Sequence, residues 1–504
     1  MAELKRESLE MIETTGPTST SREVSEPQQT SQAVKEDPNI VLWEPGDVEN
    51  PHTWSLKRKW FVSTILNLLP LVVNMGTSIL SASNAALEKE YHVSSEVAIL
   101  TLTLFLFGFT FGPLIFGPLS ERIGRKIPIL IGVTLYSTFC LPVALAQNFY
   151  TILISRFFSG LFGSASIGVT GGAIADVWPD PIMRGINMDI FIVTGYLGPM
   201  IGPIVSSFIT QSQLGWRWTM WVSAIAAYTF TILFFFVVPE TYAPVLLTRK
   251  AHKMRLRTGN WASHSRLEEN DTNVKSFAKT YLLRPWILLV TEPIYLVVTI
   301  YMAFVYGLAF LFFEGFPIAF AEIRGWEPQI AALPFLGLVI GVLLSLAFTI
   351  YYTLTVFKRQ IGSNPGIVTP EHRLPAMIIG AVILPPGLFW AAWTSQPSIP
   401  WPAQVAAYVL VGGGVFIVFV QGFKYLVDVY LNVANSAISG NAFARSFFGA
   451  AFPLFAPALY HNLGVAWATT LLAFISLALA PVPVVFYVYS KKILSFSKNA
   501  LASV

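Results

Sequence analysis

The sequence predicts an all-α polytopic membrane protein with twelve transmembrane helices in two six-helix halves. Three observations predict it. The 504 residues are 54% hydrophobic and only 12% charged, whereas soluble domains carry about 25% charged residues; mean hydropathy is +0.60. Apolar runs recur at roughly the 20-residue length a helix needs to cross hydrocarbon, without the alternating polarity of barrel strands. Basic residues crowd into alternate connections, the others holding only Lys89, Arg217 and Arg324, a consistency that supports an even number of spans.

The elements follow in order. Residues 1–56 are polar and rich in Ser, Thr, Glu and Pro, with no apolar run of a secretory signal, and read as a disordered cytoplasmic N-terminal tail. The N-terminal six-helix half, 57–238, holds spans at 61–81, 97–118, 127–146, 150–173, 187–210 and 218–238. A central cytoplasmic loop, 239–285, carries nine Lys or Arg. The C-terminal half, 286–490, holds spans at 286–313, 330–355, 375–394, 402–423, 438–459 and 463–489, and 491–504 form a cytoplasmic C-terminal tail. Arg122, Arg125, Lys126, Arg184, the central loop, Lys358, Arg359 and Arg373 fall on one side. That side is the cytoplasm, so both termini are placed there. The sequon Asn270-Asp-Thr272 lies in the same loop and is not expected to be glycosylated. The single cysteine, Cys140, excludes an internal disulfide and a cysteine-based metal site.

The densest charge lies in Gly117-Pro-Leu-Ser-Glu121-Arg122-Ile-Gly124-Arg125-Lys126, a turn between spans 2 and 3. Gly117 and Gly124 permit a tight reversal. Glu121 can pair with a nearby Arg or favour the amino end of a neighbouring helix. Such contacts form only when the cytoplasmic side is closed, which makes the turn a candidate latch. The corresponding position after span 8 has only Lys358-Arg359-Gln-Ile-Gly362.

Span 5 contains Gly195-Tyr-Leu-Gly198-Pro199-Met-Ile-Gly202-Pro203. Gly198 and Gly202, four apart, allow close backbone packing, and each proline removes a backbone donor and kinks the helix. Arg156 stands inside span 4, where a charge faces a partner or cavity by default, or else snorkels to the interface. No acid stands at the middle of any span, so no proton carrier is evident. Asn67 and Asn74 in span 1, Tyr301, Phe304, Tyr306 and Phe310 in span 7 and Gln421 in span 10 are candidates for an aromatic, sparsely polar cavity. Such a cavity suits bulky, amphipathic or cationic molecules. Lys424 and Asp428, spaced i, i+4, can pair; Arg445 in span 11 needs a partner, and Asp428 is the candidate, giving an ion network near the cytoplasmic end.

The turn resembles the signature of the major facilitator superfamily, with Glu121 where most members carry Asp. Span 5 is similar to the motif of drug/proton antiporters, with Pro203 at the last position in place of Gly. Trp43 to Ser55, Pro239 to Pro244, Glu292 to Ile294, Gly387 to Trp393, Tyr425 to Tyr430, Asn441 to Ser446 and Ala451 to Ala456 resemble further stretches of the fungal drug:H+ antiporter-1 family, and Lys424 departs from its usual uncharged residue. The resemblance covers about Trp43 to Lys492. It implies a major facilitator fold and proton-coupled efflux, by alternating access, of drugs, toxins, polyamines or self-made secondary metabolites. It also implies a role for Arg156 in proton coupling, a monomer in the plasma membrane, and small molecules, protons and lipid as its only partners.

No Walker sequence signals ATP use, no Gly-x-Ser-x-Gly elbow or histidine box signals an enzyme, and no cofactor, metal or nucleic-acid partner is expected. A proton-coupled importer and a transport-dead membrane sensor on the same fold stay open.

Overall fold

The computed structural model describes residues 37, 39–269, 283–363, 369–495 and 497. The sequon at Asn270, Lys275, Lys279 and most of both tails lie outside the described residues. Among the described residues, eleven helices are long and apolar enough to cross a membrane. The last, Ala434–Val488, has 55 residues. At 1.5 Å per residue it would reach about 80 Å, far beyond hydrocarbon of about 30 Å. It does not run straight. Gly464 takes φ 74°, outside the helical region, and Phe452 and Phe455 line one groove with Leu471 and Ile475. The segment is therefore two legs lying side by side, 434–463 and 465–488, and the bundle has twelve legs.

Spans 1 to 6 are Leu56–Ser78, Ser95–Ile123, Lys126–Ala144, Phe149–Val177, Pro181–Gln211 and Arg217–Val237. Span 5 starts six residues earlier than its apolar run because Asp180 caps it, its carboxylate accepting from the Met183 N–H at 2.9 Å, with Pro181 at the first helical position. Spans 7 to 10 are Pro293–Phe316, Pro328–Gln360, Leu374–Trp393 and Trp401–Val429. Span 7 is shorter at its start than the apolar run suggests. Pro293 pushes Glu292 out of the helical region (φ −113°, ψ 96°), so Arg284–Thr291 forms a separate short helix. The halves meet along span 2 against span 11 and span 5 against span 8.

The basic turns gather at one end of this bundle, where span starts 3, 5 and 9 contact span ends 4, 10 and 6. At the opposite end Arg217 pairs with Glu90 at 2.6 Å, and Arg324 donates to the Thr394 and Ile399 carbonyls. The last residues of the stretch expected as tail are packed at the basic end. Lys250, on the helix Ala243–Thr258, pairs with Asp47 at 2.7 Å and Glu44 at 3.3 Å, Lys253 pairs with Glu49, and the Val41 N–H donates to the His264 carbonyl. The hydrogen bond from Lys250 holds the Asp47 carboxyl below its usual range.

Candidate functional site

The turn after span 2 is held by a carboxylate that its own sequence does not contain. Glu240, just past span 6, is buried and accepts the backbone N–H of Arg125 (2.8 Å), Lys126 (3.2 Å), Thr241 and Tyr242. It thereby takes up donors at the start of span 3 that have no intrahelical partner. Gly124 makes this possible: its φ is 98°, and an added Cβ would stand 2.3 Å from the Glu240 carboxylate. Gly117 is different. It lies inside the span 2 helix with open space beside it, so the reversal does not depend on it. Arg125 pairs with Asp176 of span 4 at 3.0 Å, donates to Ser120 and lies over the Tyr242 ring. Lys126 donates to the Phe235 carbonyl, and Arg122 is exposed. Glu121 accepts from the side-chain amide of Asn435, in the first turn of span 11. One side of the turn is thus bound within the first half, and the other reaches across to the second.

Arg156 does not snorkel. It is fully buried, donating to the carbonyls of Gly76 (2.7 Å), Thr77 (2.6 Å) and Thr101 (2.9 Å), with its guanidinium over Phe105. Span 1 ends at Ser78. The carbonyls of Gly76 and Thr77 are therefore among the last four, which lack helical donors, and a cation there opposes the helix dipole. Arg156 ties the end of span 1 to spans 2 and 4.

Span 5 packs on span 1 through two of its motif glycines. A Cβ on Gly198 would meet the Leu71 carbonyl at 2.6 Å and the Met75 nitrogen at 2.8 Å; one on Gly202 would meet Ser78 Oγ at 2.3 Å. Gly195 has no such neighbour, the nearest atom being Ile167 Cδ1 at 3.7 Å. Pro203 removes the N–H that would bond the Pro199 carbonyl four residues back. Ser78 Oγ supplies the missing donor at 2.6 Å. The kink is thus completed by the partner helix.

The predicted cavity residues separate. Tyr306 and Phe310 join Tyr196 of span 5 and Phe416 and Phe419 of span 10 in one ring cluster across the two halves, with centroids 4.9 Å apart for Tyr196–Phe419 and for Tyr306–Phe310. Phe304 points elsewhere, into an apolar groove with Phe448 and Phe452 that includes the exposed Phe455 and Leu471. Asn74 donates its side-chain amide to the Pro70 carbonyl one turn back. Asn67, Tyr301 and Gln421 are buried, each with a side-chain oxygen that makes no hydrogen bond.

The ion network differs from the expected pairing. Asp428 pairs with Arg373 of span 9 at 2.9 Å. Lys424 pairs with Asp189 of span 5 at 2.5 Å, a contact between the halves at the basic end. Arg445 takes neither acid and lies over the rings of Tyr306 (5.5 Å) and Phe419 (5.2 Å). Asp189 is the residue that sequence reasoning missed. It is completely buried, and neither carboxylate oxygen has a hydrogen-bond donor in suitable geometry. Its signal was the Asp180-Pro181 start, which puts Asp189 well within the helix. Toward the opposite end, Glu314 of span 7 accepts from Asn84 of the first half at 3.3 Å. Glu292 is buried beside the hydroxyls of Tyr430 and Ser497.

Twelve legs in two halves, with charged and polar groups along the seam between them, define the class of secondary transporters. The family model of the Major Facilitator Superfamily matches residues 66–453, and the chain belongs to that superfamily. Among similar proteins, the MFS-type transporter oryN of Aspergillus oryzae is 46% identical, over 92% of this chain and 91% of its own. The citrinin biosynthesis cluster MFS transporter mrr1 of Monascus ruber is 46% identical, over 91% and 92%. The cercosporin MFS transporter CTB4 of Cercospora nicotianae is 38% identical, over 96% and 94%. The human organic anion transporter MFSD10 (TETRAN) matches in fold, with a TM-score of 0.57 and 16% identity, over 85% of this chain and all of its own. The protein is a multi-pass membrane transporter whose similar proteins include fungal transporters of secondary-metabolite clusters.

Proposed function

We propose that the protein exports amphipathic small molecules, self-made secondary metabolites foremost, in exchange for protons, as a monomer in the plasma membrane with both termini in the cytoplasm. The observation that carries the coupling is the buried Asp189–Lys424 pair joining the halves at the basic end. Two charges taken out of water without further hydrogen bonds recover little of their desolvation cost. A proton on Asp189 removes one charge and releases the tie, so protonation and opening are coupled. The relatives from metabolite clusters support export as the direction, and Arg156 fixes the neighbouring helix ends while the pair exchanges. The latch of Glu121 and Arg125 biases the closed state.

The test uses inverted plasma-membrane vesicles from a pump-deleted yeast, acid inside, with a panel of drugs, polyamines and fungal metabolites that includes citrinin. At least one compound accumulates, a protonophore abolishes accumulation, and Asp189→Asn loses it while retaining counterflow. Gradient-independent accumulation, or Asp189→Asn accumulating like the wild type, refutes the coupling. An importer would not accumulate compounds against that gradient, and a sensor would move none.

A further inference from the structure

We propose that the ring cluster at the seam binds an aromatic organic anion, with Arg445 as its charge anchor and the Tyr196 hydroxyl as a second donor; this rests on the reading above that the protein transports amphipathic small molecules. Three other basic side chains near the basic end have acids. Arg125 has Asp176, Arg373 has Asp428 and Lys424 has Asp189. Among the described residues, no carboxylate lies within ion-pair distance of Arg445. Its Nε is buried with no hydrogen-bond acceptor, while the side chain as a whole is only partly buried. What holds it is the faces of Tyr306 and Phe419.

Close by is a second unsatisfied donor. The Tyr196 hydroxyl is buried without a partner, within electrostatic reach of Arg445 and Tyr306. A buried donor left unpaired is costly; Arg445 and Tyr196 both lie against the rings of Tyr306 and Phe419, so a single acceptor group bound there can serve both. A carboxylate or an acidic enolate supplies that acceptor, and charge-assisted bonds to a guanidinium are the strong ones. The rings of Tyr196, Tyr306, Phe310, Phe416 and Phe419 then pack against a flat apolar body. Aromatic density alone suits cations as well. Here the cation seat on two rings is already taken by a group that stays charged at every physiological pH, so a cationic ligand meets repulsion where an anion meets attraction. The site selects by charge sign.

The experiment is equilibrium binding by calorimetry to the purified full-length protein in detergent at pH 7.5, with three ligands of one shape: 2-naphthoate, 2-naphthamide and 2-naphthylmethylammonium. The wild type binds the naphthoate at least tenfold more tightly than the amide, and the ammonium more weakly than the amide. Arg445→Gln collapses the naphthoate-to-amide ratio to about two or less, Arg445→Lys retains part of it, and Tyr196→Phe lowers it two- to fivefold. A general loss of packing would weaken all three ligands and leave the ratio standing. The proposal is overturned if the ammonium binds as tightly as the naphthoate, if no ligand binds, or if the ratio survives in Arg445→Gln. Should Arg445→Gln not fold, the wild-type order of the three ligands decides. The measurement needs no gradient, so failure of proton-driven export and failure of anion selectivity are read separately.

Discussion

Replacing Gly198 by alanine adds one carbon, and the structure says where it goes. The new Cβ would lie 2.6 Å from the Leu71 carbonyl oxygen, 2.8 Å from the Met75 nitrogen and 2.9 Å from Asn74 Cβ. Two of these atoms are backbone of span 1 and cannot rotate away. Ordinary contact begins near 3.4 Å, so spans 1 and 5 must part by about 0.8 Å along this seam. Overpacking of this kind costs about 1–3 kcal/mol. The same displacement stretches the 2.6 Å bond from Ser78 to the Pro199 carbonyl beyond normal length, which adds about 0.5–1.5 kcal/mol for a buried bond. Gly195→Ala, three residues earlier on the same helix, makes only a 3.7 Å contact and gains up to about 1 kcal/mol of helix propensity. The two variants therefore differ in sign. Purified in one detergent and melted side by side by tryptophan fluorescence, Gly198→Ala should lose several degrees of apparent melting temperature and Gly195→Ala should match or exceed the wild type. Equal melting of the two variants would falsify the close-packed seam and leave the motif as a kink alone.

Two further outcomes follow from the buried charges. Glu240→Gln presents an NH2 group to the Lys126 or Arg125 N–H that the carboxylate now accepts; it should destabilise the protein by about 1–3 kcal/mol, read as a lower apparent melting temperature than Glu268→Gln, whose site is more exposed. Arg156→Lys cannot reach three carbonyls with one ammonium or stack on Phe105, so it should reach the cell surface yet lose proton-coupled efflux, followed as substrate-driven change in internal pH; unchanged coupling there would reduce Arg156 to a structural clamp.

Much of the fold is legible in the sequence because hydrocarbon thickness and charge asymmetry act on runs of residues. The boundary between spans 11 and 12 is legible for the same reason, even though the helix there is interrupted at a single residue, Gly464. The start of span 5 is less so, because an Asp-Pro cap extends the helix through polar residues that hydropathy assigns to a loop. That difference hid Asp189. The turn at Gly124 reads clearly as a reversal, yet its main anchor, Glu240, lies 115 residues away in sequence from Arg125, and no local pattern reports such a distance. Lys424 and Asp428 illustrate the opposite error. Their i, i+4 spacing invites a pair along one helix, but each has an oppositely charged partner on another helix, Asp189 and Arg373. Local spacing states which contacts are possible, and the packing of the halves decides which form.

The halves are tied across the seam at both ends in this conformation. At the basic end the ties are Lys424 to Asp189 and Asn435 to Glu121; away from it they are Asn84 to Glu314 and Thr103 to the Ala450 carbonyl. Opening either end must break one set while the other holds, and the two sets are chemically unequal. The Asn84–Glu314 contact is a single long hydrogen bond to a carboxylate. The Asp189–Lys424 contact is a buried pair of opposite charges on facing helices of the two halves. In the proposed coupling, a proton on Asp189 turns the pair into one neutral acid and one lysine, so their mutual attraction no longer opposes separation. Under the proposed coupling, protonation of Asp189 governs opening of the basic end, whereas the opposite end has no comparable ion pair between the halves among the described residues. The proposed proton exchange needs this asymmetry: the basic end should open only when the proton has been delivered from the other side.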